Sequence, residues 1–149
     1  MVRIRRAEPA DALAVAALHL QLGREQGHAA EPGFLDRHAR AWQAQAPHRR
    51  TWLAVQNDGK PVGVLVAAVV DQLPRLGCPE GSWWHVSSLF VTPDARTRGL
   101  GERLLRTALQ AARQEQVERV ALHAVPEAAA LYERVGFAPA TARWLEVCP

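Results

Sequence analysis

The sequence contains few cysteines, and they lie far apart. Cys78 and Cys148 are the only two among 149 residues, no C-x-x-C pair occurs, and neither belongs to a cluster of cysteines and histidines. This pattern excludes a disulfide framework and a cysteine-held zinc site. We therefore expect a protein of the reducing cytoplasm that binds no metal.

Long apolar runs are also missing. The longest, PVGVLVAAVV at 61–70, has about half of the roughly 20 residues that a membrane-spanning helix needs. The N-terminal MVRIRRAEP carries arginines without an apolar stretch behind them, so we expect no signal peptide. The sequence thus predicts a protein without a membrane segment.

Lysine is almost absent, because Lys60 is the only one. The net charge of +3 and the pI of about 9.5 therefore come from arginine, whose planar fork suits phosphates and carboxylates. The arginines are scattered along the chain without a recognised nucleic-acid motif, so we expect no nucleic-acid partner. With 48% hydrophobic and 22% charged residues, the composition is that of one soluble domain.

Hydrophobic periodicity and turn residues predict an α/β fold, a single mixed sheet with helices on both faces, in the order β-α-α-β-β-β-α-β-α-β. The unit 83–125 requires a right-handed parallel crossover, and Asp58-Gly59 predicts a hairpin. On the first helix, one face is predicted to carry Leu13, Ala16, Ala17 and Leu20. The predicted ranges are 2–7, 8–26, 34–45, 51–56, 61–70, 83–91, 99–116, 119–125, 126–136 and 137–147.

The stretch RTRGLG at 96–101 follows a strand and a proline turn and opens a leucine-rich helix. It is no dinucleotide fingerprint, because Leu104 occupies the third glycine position, and no P-loop, because no Gly-Lys follows. Free backbone N–H groups at a helix N-terminus bind anions, and glycines allow a close approach. The alternative is that Gly99 and Gly101 only relieve crowding at the turn.

The stretch SLFVTPDARTRGLGERLL, followed by ALYERVGF, resembles the GCN5-related N-acetyltransferase (GNAT) superfamily. R-x-x-G-x-G is similar to the family's pyrophosphate-binding motif A, and LYERVGF is similar to its motif B. The element order also fits, so the resemblance covers nearly all of 1–149 as one GNAT domain. It implies acetyl transfer from acetyl-CoA to a primary amine of a small molecule or peptide, by direct attack in a ternary complex. A non-catalytic, acyl-CoA-binding regulatory module is the alternative.

The resemblance also implies roles for individual residues. Leu89, Phe90 and Val91 match the strand end whose backbone pairs with the pantetheine arm. Tyr132 matches the tyrosine that protonates the leaving thiolate, with ordinary core packing as the alternative. Val125 stands where many members have an asparagine, so we expect weaker contacts to the pantetheine but retained binding. The coenzyme A diphosphate site corresponds to Arg96, Thr97, Arg98, Gly99, Leu100, Gly101 and Glu102.

The general base is open among several groups. His123 lies on the fifth predicted strand, near the point where the family's strands part, and an imidazole titrates in the useful range. His85 is the second candidate and Glu80 the third, while a water chain or an already neutral amine would need no side chain. A purely structural role for either histidine is a further alternative. The oxyanion donor is expected to be a backbone N–H near Leu89 or Phe90.

Two further pairs concern the acceptor side. Trp83 and Trp84 are adjacent on a strand and point to opposite faces; one of them lines an acceptor cleft, or both pack in the core. His28 and Glu31 lie in the loop after the first helix, which in the family often helps to form the acceptor site, or they are simply solvated. Because GNAT proteins often dimerise, a homodimer is also to be considered.

Overall fold

The computed structural model describes residues 1–78, 81–142 and 145–149. The elements are β1 (Val2–Arg6), α1 (Ala12–Glu25), α2 (Phe34–Ala44), β2 (Arg49–Gln56), β3 (Pro61–Gln72), β4 (Gly81–Val91), α3 (Leu100–Gln114), β5 (Val120–Leu122) and α4 (Ala129–Val135). In the sheet, which has the order β1-β2-β3-β4-β5, neighbouring strands are antiparallel except β4 and β5, which are parallel. This arrangement confirms the mixed α/β fold and the predicted parallel crossover through α3.

The predicted hairpin joins β2 and β3. Gly59 has a φ of 88°, the left-handed conformation that a glycine adopts without strain. The Asp58 carboxylate accepts a hydrogen bond of 2.9 Å from the Lys60 backbone N–H. The turn therefore has both the left-handed glycine and the side-chain-to-backbone hydrogen bond that an Asp-Gly pair predicts.

Helices cover both faces of the sheet, as predicted. One face of the sheet is covered by the apolar side of α3, called here the α3 stripe, in which Leu104 and Leu105 join a core with Trp52 and Trp84. The buried residues of the stripe are Leu100, Leu104, Leu105, Ala108 and Ala112. Gly63 permits this approach, since a Cβ there would lie 3.2 Å from Leu104 Cδ1. On the other face, α1 contributes Val15 and Leu18 to a second core with Leu53, Val55, Val64, Val66 and Phe90.

The predicted face of α1 is wrong in phase. Leu13 is 56% exposed, and the buried residues are Ala12, Val15, Ala16 and Leu18. The helix is apolar almost all round, so its periodicity does not fix which side meets the sheet. It also begins later than predicted, because residues 9–11 form a short 3₁₀ turn in which Asp11 binds Arg5 at 2.7 Å.

The final extended segment predicted at 137–147 is not found as a strand among its described residues, 137–142 and 145–147. Leu145 and Val147 are 79% and 83% exposed, so these apolar side chains gain nothing from a neighbouring strand. Of the helices within the described ranges, none is long and apolar enough to cross a bilayer.

Candidate active site

The strands β4 and β5 pair over only three residues. Their register runs from Trp84 opposite Val120 to Val86 opposite Leu122, after which β4 continues to Val91. Along residues 87–91, the β4 edge away from β3 therefore has no strand partner among the described residues. Apart from the Val91 carbonyl, which accepts a hydrogen bond from Arg96 Nε, the backbone groups that point away from β3 are available to an extended ligand in the manner of an added strand.

A β-bulge lies where the two strands part. The register of β3 with β4 jumps from Val66–Ser88 to Ala67–Val86, which leaves Ser87 as the extra residue. Its hydroxyl donates to the Val66 carbonyl at 3.2 Å. A bulge reverses the alternation of side chains, so Trp84 and Leu89 both contribute to the α3-side core. The bulge therefore changes which side chains face α3 in residues 89–91, the segment that the family resemblance assigns to the pantetheine arm.

The loop that follows β4 ends in an exposed helix N-terminus. Thr97 and Gly99 have φ of 64° and 70°, and Gly99 is the N-cap of α3 without any side-chain cap. The first backbone hydrogen bond of the helix runs from the Arg103 N–H to the Gly99 carbonyl, so the preceding N–H groups have no helical partner. A Cβ at Gly99 would meet nothing within 4 Å. The free donors and the open space above them fit a diphosphate.

The charged side chains around this loop have different partners. Arg96 binds the Glu25 carboxylate through one nitrogen at 2.6 and 2.7 Å, and its Nε donates to the Val91 carbonyl at 3.0 Å. Glu102 binds Arg106, which is the main cause of its lowered pKa. Arg98 makes no hydrogen bond or ion pair with the described residues and is exposed. It is therefore the arginine of the motif whose charge is not already neutralised.

Tyr132 lies on α4, on the α3 side of the sheet. Its ring is half-buried and meets Phe137 edge-on at 6.0 Å between centroids. Burial raises the pKa of its phenol, so the hydroxyl stays protonated at neutral pH. Leu131 lies 3.5 Å from the Cβ position of Gly101, which fixes α4 beside the first turn of α3. The phenol is thus in the protonation state that a general acid requires.

The two candidate histidines are brought together at the end of the β4–β5 pairing. His85 and His123 lie edge to face with centroids 5.4 Å apart. His85 Nε2 is buried without a hydrogen-bond partner among the described residues. Burial is the main cause that lowers the pKa of His85, followed by the charges of His123 and Arg49. A neutral imidazole with an unused nitrogen can accept a proton.

The remaining predicted residues have mixed positions. Trp84 is 1% exposed in the core, while Trp83 is partly buried under the Arg119 guanidinium, 4.6 Å from its ring. His28 and Glu31 lie in an exposed loop, where Glu31 binds Arg37 at 2.7 Å. Glu80 lies outside the described residues. Among those that are described, no cluster of three or more His, Cys, Asp or Glu side chains could hold a metal.

Sequence reasoning did not identify a histidine cluster on the α1 side of β4. His19 Nε2 shares a hydrogen bond of 2.8 Å with the Ser88 hydroxyl, and its ring stacks on His38 at 4.6 Å. Burial is the main cause that lowers the pKa of both histidines. The partners are 69 residues apart in sequence, and the only signal was a histidine within an apolar helix. The cluster ties α1 to β4 directly after the bulge.

The sequence matches one family of known proteins over most of its length. The family model for the acetyltransferase (GNAT) family matches residues 16–137. The chain belongs to the GNAT family. It is an N-acetyltransferase, and the resemblance seen in its two motifs is confirmed. No curated protein shows significant similarity to this GNAT chain.

Solved structures share the GNAT fold at low identity. A predicted acetyltransferase from Clostridium acetobutylicum, crystallised with acetyl-CoA, has a TM-score of 0.82 at 17% identity, covering 99% of this chain and 96% of that one. A GCN5-related N-acetyltransferase from Ralstonia eutropha has 0.75 at 21%, covering 99% of both. Glucosamine-6-phosphate N-acetyltransferase from Arabidopsis thaliana has 0.74 at 17%, covering 99% and 98%. These likenesses establish the fold.

Proposed function

We propose that this chain transfers an acetyl group from acetyl-CoA to a primary amine of a small molecule or peptide, by direct attack in a ternary complex. The observation that carries the proposal is the free β4 edge at residues 87–91. It has the open helix N-terminus at Gly99 beyond one end and the His85–His123 pair at the other. One ligand can therefore contact both ends.

The donor side of the proposal rests on backbone groups. The first-turn N–H groups of α3 and the Arg98 guanidinium would hold the diphosphate. The backbone of Leu89, Phe90 and Val91 would pair with the pantetheine arm. The bound donor supplies an activated thioester. A backbone N–H near Leu89 or Phe90 would donate a hydrogen bond to the oxyanion that forms during attack and so stabilise it.

Burial favours the neutral form of both His85, the proposed base, and Tyr132, the proposed acid. His85 would take a proton from the attacking amine as the C–N bond forms, because its imidazole is neutral and its Nε2 is unpaired. Tyr132 would give its proton to the departing sulfur as the C–S bond breaks, because burial keeps the phenol protonated. The imidazolium and the tyrosinate then return to their starting states by net proton transfer through solvent. His123 would tune His85 rather than accept the proton itself.

The domain organisation and the cellular location are also part of the proposal. We propose one domain over 1–149, supported by two cores that share one sheet. A cytoplasmic location is supported by the free thiols of Cys78 and Cys148. The homodimer and the absence of a nucleic-acid partner stay predictions.

An amine screen that follows thiol release from acetyl-CoA tests the activity. We expect acetyl-dependent thiol release that requires both the amine and the protein, with acetylated amine detected by mass spectrometry. Acetyl-CoA binding without product, for every amine tested, would contradict the proposal and favour a binding module. Measuring acetyl-CoA affinity by calorimetry in parallel separates these outcomes.

A further inference from the structure

Beside the proposed reaction centre, one half of a sheet face belongs to neither core cluster among the described residues. On the α1 side, the second core covers β2 and β3 from Leu53 to Val66. Towards the other ends of the strands, Arg49, Ala68, His85 and Ala121 stand opposite one another across β2, β3, β4 and β5. Strand alternation places these four on that same face. We call them the open row.

The open row places a small side chain between two basic ones. All four residues are partly buried, with His85 Nε2 itself buried, and none belongs to either described core cluster. Ala68 lies between Arg49 and His85, and its side chain is only a methyl group. With strands about 4.8 Å apart, the Arg49 and His85 backbones are separated by about 10 Å. That span suits a small molecule rather than a large one.

The charged side chains along the open row are positive, and Arg49 has no carboxylate partner among the described residues. The Arg49 guanidinium donates to the Gln45 side-chain oxygen at 2.7 Å and to the His48 carbonyl at 3.3 Å, both neutral acceptors. Arg119 lies over Trp83 on the same face. The positive charge of Arg49 acts on His85, where it is one of the causes that lower the pKa of the imidazole.

The described carboxylates nearby do not compensate this charge. Asp71 is three residues after Ala68 on β3, so alternation turns it to the opposite face. Glu118 precedes β5 and binds Arg75 at 3.0 Å. Glu31, in the loop after α1, is already paired with Arg37. A ligand that carries an anionic group would therefore balance the positive charge of Arg49.

We propose that the acceptor is a small amine carrying a carboxylate or phosphate group, whose anionic oxygens bind Arg49 while its amine lies at His85. This inference rests on the proposed acetyl transfer. Arg49 acts as a specificity-determining residue, because its fork matches either anion in a bidentate manner. A polyamine is disfavoured, since its second ammonium group would lie against the arginine.

Matched acceptor pairs test the inference in the full-length protein. The standard amino acids are compared with their C-terminal amides, phosphoethanolamine with ethanolamine, and putrescine serves as the dicationic probe. We expect kcat/KM to be at least about tenfold higher for the anionic member of one pair, as charge-assisted hydrogen bonds are worth about that much or more. The pair in which the preference occurs distinguishes a carboxylate from a phosphate.

Variants of Arg49 assign the preference to this side chain. Arg49→Gln should lower kcat/KM for the preferred anionic amine by about 10- to 100-fold and for its neutral partner by less than about threefold. Arg49→Lys should restore part of the loss, because it keeps the charge without the fork. Arg113→Gln, at an exposed position in the last turn of α3, is the control and should change neither value.

The outcomes separate this inference from the acetyltransferase proposal. Turnover that favours neutral amines or putrescine would overturn the anionic acceptor and leave acetyl transfer intact. An Arg49→Gln variant that slows both members of a pair by the same factor would also overturn it. Failure of every amine to release thiol would reject the acetyl transfer itself and, with it, the acceptor inference.

Discussion

Glu25 and Arg96 join the C-terminal end of α1 to the loop that precedes α3. The Arg96 guanidinium lies 2.6 Å from one Glu25 oxygen and 2.7 Å from the other, and it also lies 5.7 Å from the Phe90 ring centroid. The two side chains are about equally exposed. The first arginine of the R-x-x-G-x-G stretch is thus paired with an internal carboxylate, whereas Arg98 has no carboxylate partner among the described residues.

This relationship predicts unequal effects of the two arginines. Arg98→Gln should weaken acetyl-CoA binding by about tenfold at low ionic strength, because it removes an uncompensated cation near the diphosphate, and added salt should shrink the effect. Arg96→Gln should weaken it by less than about threefold, since its charge is already neutralised, and an exposed pair contributes only about 0–1 kcal/mol to folding. Calorimetry at two salt concentrations measures both. The reverse order of effects would show that Arg96 leaves Glu25 for the ligand.

The N-cap position of α3 allows a test in which fold and charge are separated. Asn and Asp adopt left-handed backbone more readily than other L residues, so Gly99→Asn and Gly99→Asp should unfold at denaturant midpoints close to each other. The Asp variant alone places an anion at the free N–H groups. Its acetyl-CoA affinity should fall at least about tenfold below that of the Asn variant, an estimate based on the strength of charged hydrogen bonds. Equal affinities would place the diphosphate elsewhere.

The loop and helix proposed to hold the donor could be located from sequence because their residues are close together in the chain. Residues 96–101 and the helix that follows form one local motif, and the α3 stripe has a clear period. The pairing of Glu25 with Arg96, and of His19 with Ser88, joins residues about 70 positions apart, which no local pattern encodes. The predicted buried face of α1 was wrong for a related reason. The helix is apolar almost all round, so only its packing against the sheet determines which side is buried. The open row depends on strand register, which sequence alone leaves unassigned.

Replacing Tyr132 by Phe should separate chemistry from binding. The ring contact with Phe137 is retained, so stability should be little changed. Loss of a general acid should lower kcat by about 10²- to 10⁴-fold while acetyl-CoA affinity stays within about threefold. Steady-state kinetics and calorimetry on the same preparation give both numbers. A variant that keeps its kcat would leave the phenol with a packing role only.

Stability should decline in mild acid because of two partly buried histidines. Burial lowers the pKa of His19 and His38 in the folded protein, whereas an unfolded histidine has a pKa of about 6.5. Below that pH the unfolded chain binds more protons, so the free energy of unfolding should fall until the folded-state pKa values are passed.

Urea denaturation between pH 7.5 and 5 measures this decline in stability. His38→Gln should make the decline shallower, while His28→Gln, at an exposed loop position, should not. A decline of the same slope in all three proteins would assign the acid sensitivity to other groups.

The pH dependence of kcat at saturating amine should identify the base. His85 must be neutral to accept a proton, and its pKa is lowered, so kcat should rise through a midpoint below about 6.5 and then stay level. His85→Gln should remove that acid limb together with about 10²-fold or more of the rate. His123→Gln should instead move the midpoint upwards, because the His123 charge is the second cause that lowers the pKa of His85. If the His123 variant loses the limb and the His85 variant keeps it, His123 is the base.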